Sequence, residues 1–382
     1  MRAITQTDAA EQLAMLRDSA ASFVRDNTDL KALRGRRGTM PGFDEGLIKK
    51  IGDLGWFGIL VPECYGGLGL GFAEFSVVLE ELGMGLMAEP LVSSAVLAGR
   101  LLLHGDNQSL KACLLPKLAE ARLLPCVAWQ EGNGGLDTAA IATRVEPNGT
   151  DLRLTGCKRF VAAAAAAAGY LVSARSSAGC GIYWVDKEAP GLTVHYEWRA
   201  DQTPSGVVEF DQVTVPASNV LCAASPGGLA ALERAIDEAA VMASAEMLGV
   251  MEAALQMALG YMRTRVQFGK PIGSFQALQH KAVDLYIQQE LSRAVLSDAV
   301  RELDTGNSVP ARSKLASRCK SRSSQSGLRI TREVIQLHGA IGFTDEYDAG
   351  LYLKRALVLS GWLGNSTAHQ RRFGALWRQQ AA

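Results

Sequence analysis

Three side chains within four positions, Arg265, Gln267 and Phe268, carry groups that suit a ligand with phosphate and aromatic parts. A guanidinium offers a planar fork of donors that matches phosphate oxygens. A glutamine amide can also donate to such oxygens, and a phenyl ring can pack against another aromatic ring by its face or its edge. On residue type alone, a surface arginine and a buried phenylalanine are the commoner interpretation, so the assignment depends on the surrounding sequence.

Carboxylates are the candidate general bases. Asp237 and Glu238 are neighbours in a segment with helical spacing, so their side chains point roughly 100° apart, and Glu131 lies in a glycine-rich stretch. The five histidines fall in unrelated contexts, and the seven cysteines include no CxxC pair. We therefore expect no metal site and no disulfide framework.

The composition restricts the class of protein. The 39 Lys and Arg balance the 39 Asp and Glu, and 48% of the residues are apolar, which is typical of a globular protein. Without a basic excess, nucleic acid is not favoured as a partner. Residues 1–27 lack the pattern of a signal peptide, and no apolar stretch is long enough to span a bilayer. We expect a soluble, cytoplasmic protein with no membrane partner.

The hydrophobic periodicity changes twice along the chain. Residues 1–122 show helical spacing, residues 123–225 show short β-rich runs between turn residues, and residues 226–382 show long helical patterns. These patterns predict a mostly α protein with a β insert: an N-terminal helical domain, a middle antiparallel β domain and a C-terminal bundle of long helices. The seven alanines at 162–168 are expected to form a loop or a strand edge.

Three stretches carry a resemblance to a known family, and the first of them contains the three residues described at the start. They are RTRVQFGKPIGSFQALQH at 263–280, QLHGAIGFT at 336–344 followed by Tyr352 and Arg355, and GWFGILVPE at 55–63 followed by YGGLG at 65–69. Together they resemble the acyl-CoA dehydrogenase family over almost the whole chain, and the first stretch is the most specific. The order of helices, β insert and helices is similar to that family as well.

The resemblance implies FAD as cofactor, an acyl-CoA thioester as substrate, an electron-transfer flavoprotein or similar acceptor, and a tetramer built on the C-terminal helices. The family reaction is α,β-dehydrogenation, in which a carboxylate removes the α-proton and the β-hydrogen leaves as a hydride to the flavin. In the family, the 263–280 and 336–344 motifs of one protomer clasp the FAD bound mainly by another. Carried over residue by residue, the cofactor-binding set is Arg265, Gln267, Phe268, Ile272, Phe275, Gln276, Gln336, Gly339 and Ala340.

The sequence departs from the family at the position of the catalytic base. In most members a glutamate follows the second motif, and an ungapped count places Gly364 at that position. Glycine has no side chain to accept a proton. Other members carry the glutamate on the helix before the first motif, where the matching residue is about Ala239, and the adjacent Glu238 is a weak candidate for a relocated base.

The residues that resemble the family's flavin cradle differ too. Gln130 and Leu136 stand where hydroxyl residues are usual, Phe160 replaces a tryptophan, and Ala162 replaces a serine or threonine. Each lost hydrogen bond weakens binding by about 0.5–1.5 kcal/mol. Three such losses together are expected to weaken flavin binding by orders of magnitude.

These losses suggest an asymmetric complex. In this hypothesis the chain is the base-less subunit of an α2β2 heterotetramer, and its retained motif residues clasp FAD that a related catalytic chain holds. The resemblance is to bacterial dehydrogenases acting on bulky steroid side-chain CoA thioesters, in which two related chains assemble and one carries the base. The chain is then an oxidoreductase only as part of that complex.

Three other interpretations stay open. A homotetrameric dehydrogenase could use a relocated base, Glu238 or the less favoured Glu131, and would purify with FAD on every chain. A non-redox scaffold or acyl-CoA-binding protein could keep the motif residues as inherited remnants. An oxidase or nitroalkane-oxidase-like enzyme on this fold is disfavoured, because it also needs a carboxylate base.

Overall fold

The computed structural model describes residues 6–87, 90–306 and 308–381, and these residues form two compact units. The first unit contains Met1–Gly35, Phe72–Ala88 and Ala240–Ala382, and the second contains Arg36–Gly71 and Glu89–Ala239. This division differs from the three-domain boundaries at residues 122/123 and 225/226, which stay a prediction from the sequence.

The described ranges contain eleven α-helices, and polar caps mark where some of them begin. Asp44 accepts a hydrogen bond from the backbone N–H of Leu47, and Asn107 accepts one from Leu110, which satisfies donors that a helix start leaves unpaired. A π-helical segment, Leu91–Ala98, precedes the fifth helix. The helices are α1 Gln6–Asn27, α2 Leu30–Arg36, α3 Glu45–Asp53, α4 Phe72–Met84, α5 Gly99–His104, α6 Gln108–Ala119, α7 Ala230–Thr264, α8 Gln276–Thr305, α9 Val309–His338, α10 Ala349–Gly361 and α11 Ser366–Ala381.

In the first unit, α4 and α7 approach so closely that only glycine fits at two contacts. A Cβ on Gly83 would lie 2.2 Å from the carbonyl oxygen of Glu246. A Cβ on Gly249 would lie 1.8 Å from the carbonyl oxygen of Glu80. The side chain of Glu80 also pairs with Arg293 of α8 at 3.2 Å, so backbone contact and a shared carboxylate join these helices.

Two residues that follow the second motif anchor α10 inside the first unit. The Arg355 Nε donates to Glu246 Oε1 at 2.6 Å, and both residues are buried. The Tyr352 hydroxyl donates to the backbone oxygen of Met84 at 2.9 Å. Breaking a buried ion pair of this kind typically costs about 3–5 kcal/mol, so Arg355 stabilises the fold. Tyr352 contributes a hydrogen bond to the same packing.

The second unit contains a mixed sheet of eight strands in the order β6-β7-β3-β2-β4-β5-β8, with β1 beside β4. The expected antiparallel sheet is therefore not fully antiparallel, because β1 runs parallel to β4 and β2 meets β4 in parallel at one residue pair. Buried apolar side chains such as Tyr170, Val172 and Phe210 form its core. The strands are β1 Pro125–Ala128, β2 Arg144–Asn148, β3 Asp151–Ala162, β4 Gly169–Ser176, β5 Gly179–Asp186, β6 Leu192–Trp198, β7 Pro204–Val215 and β8 Val220–Ser225.

The architecture expected from the sequence is confirmed: helices, a β insert and long helices. The alanine run ends β3, forms a short 3-10 turn at Ala164–Ala166, and places Ala164 and Ala167 in the sheet core. Ala164 lies so close to β7 that a Cβ on Gly206 would lie 2.4 Å from the Cβ of Ala164, so position 206 requires glycine. Across the residues that the structure describes, no helix has the length and apolarity needed to cross a membrane.

Candidate functional site

The first motif forms a two-stranded hairpin after the end of α7. Its strands, β9 Val266–Gln267 and β10 Lys270–Pro271, are joined by Phe268 and Gly269, whose φ angles are 55° and 80°. Two successive left-handed residues are the geometry of a type I′ turn, which matches the twist of a hairpin. The Phe268 residue is 91% exposed, so the turn presents an aromatic ring at the surface of the chain.

Three aromatic rings connect this hairpin to the second motif. His338, the last residue of α9, lies between Tyr261 and Tyr347, with ring centroids 4.6 and 4.7 Å away. Tyr261 is on the last turns of α7, and its carbonyl accepts the backbone N–H of Arg265 at 2.8 Å. The structure therefore brings together two motifs that are far apart in the sequence.

Three polar side chains of the two motifs have no partner within the described part of the chain. Arg265, Gln267 and Gln336 are exposed, and their side chains make no hydrogen bond or ion pair with the residues of the described ranges. Gly339 has a φ of 65°, and a Cβ there would meet nothing within 4 Å. The adjacent Ala340 is also exposed. The two motifs thus present unpaired donors beside an open stretch of backbone.

The other predicted residues of the first motif support the hairpin. Ile272 is buried, and its N–H donates to the Arg265 carbonyl at 2.8 Å. The Phe275 ring meets Phe268 edge to face at 6.2 Å, and the Lys270 Nζ lies 4.5 Å from the Phe275 centroid. Gln276 is exposed at the start of α8. Ile272 is therefore enclosed by its own chain, where it closes the hairpin.

In the second unit, the motif carboxylate Glu131 forms an ion pair with the buried Lys158. The Lys158 Nζ donates to Glu131 Oε1 at 2.6 Å and to the Ser173 hydroxyl at 3.0 Å. Glu131 also accepts the Thr143 hydroxyl at 2.7 Å. Burial lowers the pKa of Lys158 to about 8, and although burial opposes ionisation of Glu131, the lysine lowers the pKa of that carboxyl. These contacts favour a structural role for Glu131.

The substituted residues of the flavin cradle interact with their own loop. The Gln130 side chain donates to the Gly135 carbonyl at 2.9 Å. The Phe160 ring packs over Gly134, where an added Cβ would lie 3.3 Å from the ring. Ala162 follows a bulge in β3 and offers no polar side-chain atom. The loop therefore does not present the hydroxyl groups that are usual at these positions.

Two buried side chains hold the connection between α10 and α11. The Lys320 Nζ donates to the carbonyls of Leu359 and Gly364 at 2.7 and 3.2 Å, and the His369 Nε2 lies 2.8 Å from the Leu363 carbonyl. Leu363 and Gly364 have φ angles of 58° and 94°. Residues with a Cβ rarely adopt a φ of 94°, so position 364 is shaped for glycine as well as lacking a carboxylate.

Lys320 should make the stability of the protein rise with pH. Burial lowers its pKa to about 7, whereas the unfolded chain keeps a lysine pKa of about 10.4. Between these values the unfolded state binds more protons, so the free energy of unfolding rises by up to about 1.4 kcal/mol per pH unit. Melting temperatures of wild type and Lys320→Met from pH 7 to 10 measure this. The melting temperature of wild type minus that of Lys320→Met should increase with pH. The exposed Lys49→Met is the control, and a constant difference for Lys320→Met would contradict the prediction.

Two arginines and a histidine surround Glu238. The carboxylate lies 2.7 Å from Arg100 Nε, 3.0 Å from Arg234 Nε and 2.9 Å from His104 Nε2, and its side chain is 1% exposed. Burial opposes its charge, but the bonds from His104 and Arg100 lower the pKa of Glu238 to about 2. A general base is most effective with a pKa near the operating pH, so this environment disfavours Glu238 as a relocated base.

Sequence reasoning did not identify Lys320, His369, Arg100 and His104 as parts of these arrangements. Arg100 and His104 are one helical turn apart, and two basic groups on one face are a signal that an acidic partner is near. Lys320 stands among small residues, between Cys319 and Ser321, which is also a signal. In the described ranges, no group of three or more His, Cys, Asp or Glu residues is arranged to hold a metal ion.

Helices, a mixed sheet and long helices in this order along the chain, together with the two joined motifs, define the acyl-CoA dehydrogenase fold. Models of the N-terminal, middle and C-terminal domains of acyl-CoA dehydrogenase match residues 10–122, 126–213 and 227–375. The chain therefore belongs to the acyl-CoA dehydrogenase family, whose members are oxidoreductases that act on CH–CH groups of acyl-CoA.

Several proteins similar to this chain have names that describe their chemistry. The acyl-CoA dehydrogenase IpdE2 of Mycobacterium tuberculosis is 31% identical over 350 residues, which cover 91% of each chain. A solved variant of the steroid ACAD Tcur3481-Tcur3483 has a TM-score of 0.88 and 31% identity, covering 97% of this chain and 99% of that one. The ChsE4-ChsE5 complex of Mycobacterium tuberculosis has a TM-score of 0.86 and 27% identity, covering 99% of both chains.

The family depends on FAD, and the residues of this chain fit one part of an FAD site better than another. The unpaired donors of Arg265, Gln267 and Gln336 suit phosphate and hydroxyl oxygens. Beside them, the His338 Nε2 is buried without a partner in the described part of the chain. In contrast, the loop around Gln130 lacks the hydroxyl groups of a complete cradle. The residues of the two motifs therefore fit one part of an FAD site, and the loop around Gln130 does not complete it.

Proposed function

We propose that this chain is the base-less subunit of an α2β2 acyl-CoA dehydrogenase. The observation that carries the proposal is Gly364, where a left-handed backbone held by Lys320 stands at the usual position of the base. When bound, FAD supplies the acceptor for the hydride. Arg265 and Gln267 bind its phosphate and hydroxyl oxygens across the subunit boundary, and Phe268 packs against its ring system.

The proposed substrate is a bulky acyl-CoA, such as a thioester of a steroid side chain. Support comes from the similar chain named as part of a steroid ACAD and from the two-component complex ChsE4-ChsE5. The catalytic partner is a related chain that supplies the carboxylate base and most of the flavin contacts. An electron-transfer flavoprotein or a similar carrier takes the electrons.

The test is the flavin content and the mass of the protein made alone and with its partner. We expect the chain alone to purify without flavin absorbance. Co-expression with a related dehydrogenase chain from the same genome neighbourhood should give a heterotetramer with one FAD per pair of unlike chains. A homotetramer with one FAD on every chain would refute the proposal and favour a relocated base. Absence of flavin with every partner would favour a non-redox scaffold.

A further inference from the structure

A cleft between α9 and α11, within the first unit, has the chemistry of an anion site. Its volume is about 230 Å³, and both helices line it. Residues four apart lie on one helix face, so the α9 wall consists of one row of serines beside one row of arginines. None of the described residues that line the cleft is a carboxylate. The lining side chains that matter here are Ser317, Arg318, Ser321, Arg322, His369 and Phe373.

The positive charge of the two arginines is only partly balanced. Arg318 pairs with Asp298, but the same carboxylate also pairs with Arg301 at 2.6 Å. The Arg322 Nη2 donates to the neutral side-chain oxygen of Gln288 at 2.8 Å. No carboxylate within the described ranges pairs with Arg322. The cleft therefore keeps a net positive charge that an anion would neutralise.

Two polar atoms of the lining also lack partners. The Ser317 Oγ and the Arg322 Nε are buried and make no hydrogen bond with any residue that the structure describes, and Ser317 itself is fully buried. Buried polar groups in folded proteins are nearly always hydrogen-bonded. An anion that enters the cleft would supply the missing acceptors. On one side the Phe373 ring, stacked on Trp377 at 6.1 Å, adds an apolar wall.

We propose that this cleft binds a small oxyanion with the size and chemistry of a phosphate group, at a site separate from the FAD clasp. A phosphate takes several donors at once, and a guanidinium matches its geometry. The volume accepts a phosphate with a small substituent. The source is therefore either free inorganic phosphate or the phosphoryl group of a small ester, whose organic part would contact Phe373.

Calorimetric titration of inorganic phosphate into the full protein tests the site, with ionic strength held constant by chloride. The chain is used with its partner if it does not stay in solution alone. We expect saturable binding at one site per chain, weakened about tenfold or more in Arg322→Gln, which loses a charge-assisted hydrogen bond. Ser317→Ala should weaken binding to a smaller extent. Arg329→Gln, an exposed arginine of α9 outside the cleft, should bind phosphate like wild type.

A second titration with phenyl phosphate separates the two sources. Tighter binding than phosphate would identify a phosphate ester as the ligand, and equal or weaker binding would identify the free ion. The proposal is overturned if phosphate does not bind, or if Arg329→Gln loses as much affinity as Arg322→Gln. Should Arg322→Gln fail to fold, Arg318→Gln tests the same cleft, because that side chain is 43% exposed. Flavin content should be unchanged in these variants, so the outcome is independent of the proposed dehydrogenase role.

Discussion

Replacing Arg265 by glutamine should weaken the binding of FAD to the assembled protein by about 10- to 100-fold, because a charge-assisted hydrogen bond contributes about 1.5–3 kcal/mol. The guanidinium is exposed and has no partner in the described part of the chain, so the fold should be unaffected. Fluorescence titration of the flavin-free complex with FAD measures the dissociation constant. A melting curve of the same sample checks the fold.

Arg263→Gln is the matched control for this prediction. Arg263 is also exposed, lies two positions earlier, and belongs to the last turn of α7. It carries the same charge but stands outside the hairpin that presents Arg265. We expect its affinity for FAD to equal that of wild type. Equal losses in both variants would indicate a general charge effect, and no loss in Arg265→Gln would refute the clasp.

Replacing Glu238 by glutamine should destabilise the protein by about 3–5 kcal/mol, because it leaves the largely buried Arg100 without its carboxylate. For a unit of this size, the melting temperature should fall by roughly 10 °C. Glu233→Gln, an exposed carboxylate on the same helix, should change it little. If Glu238→Gln melts like wild type and yet abolishes dehydrogenation, the relocated-base interpretation replaces ours.

The same cluster should make the wild-type protein sensitive to acid. The pKa of Glu238 is about 2 in the folded state against about 4.3 when unfolded, a difference equivalent to about 3 kcal/mol. This stability is present above pH about 4.3 and is lost as the pH falls towards 2. Burial lowers the pKa of His104, so stability already declines once the pH drops below about 6.5. Melting temperatures measured across this pH range test the assignment. Wild type should show a decline between pH about 4.3 and 2 that Glu238→Gln does not show.

Helices such as α3 were predictable because they bury a stripe of apolar residues, and the 3.6-residue period of that stripe is visible in the sequence. The short helix α2 buries no residue and carries no such signal. The strands were harder to predict. β2 contains Pro147 and is mostly exposed, so no alternation marks it, and the parallel pairing of β1 with β4 depends on contacts between residues 44 positions apart, as at Cys126 and Tyr170. Periodicity reports which face of an element is buried, but not which element covers it.

The candidate site shows the same limit. Arg265, Gln267 and Phe268 form a local motif, and a local hairpin presents them, so sequence reasoning could identify them as a group. The glycine at position 364 was equally visible as a missing carboxylate. Its φ of 94° and its bond to Lys320, 44 positions away, were not. The arginines around Glu238 come from α5 and α7, and only the folded chain brings Arg100 to that carboxylate.

The exposed ring of Phe268 also has a consequence for how the cell must produce this protein. If the proposed complex forms, a chain that has not met its partner displays that ring, together with Phe343 at 80% exposure. Exposed apolar groups promote aggregation and attract chaperones and proteases. We therefore expect surplus copies to be degraded quickly, so that the amount of this chain follows the supply of its partner. Balanced synthesis of the two chains would then be as important to the cell as the affinity between them.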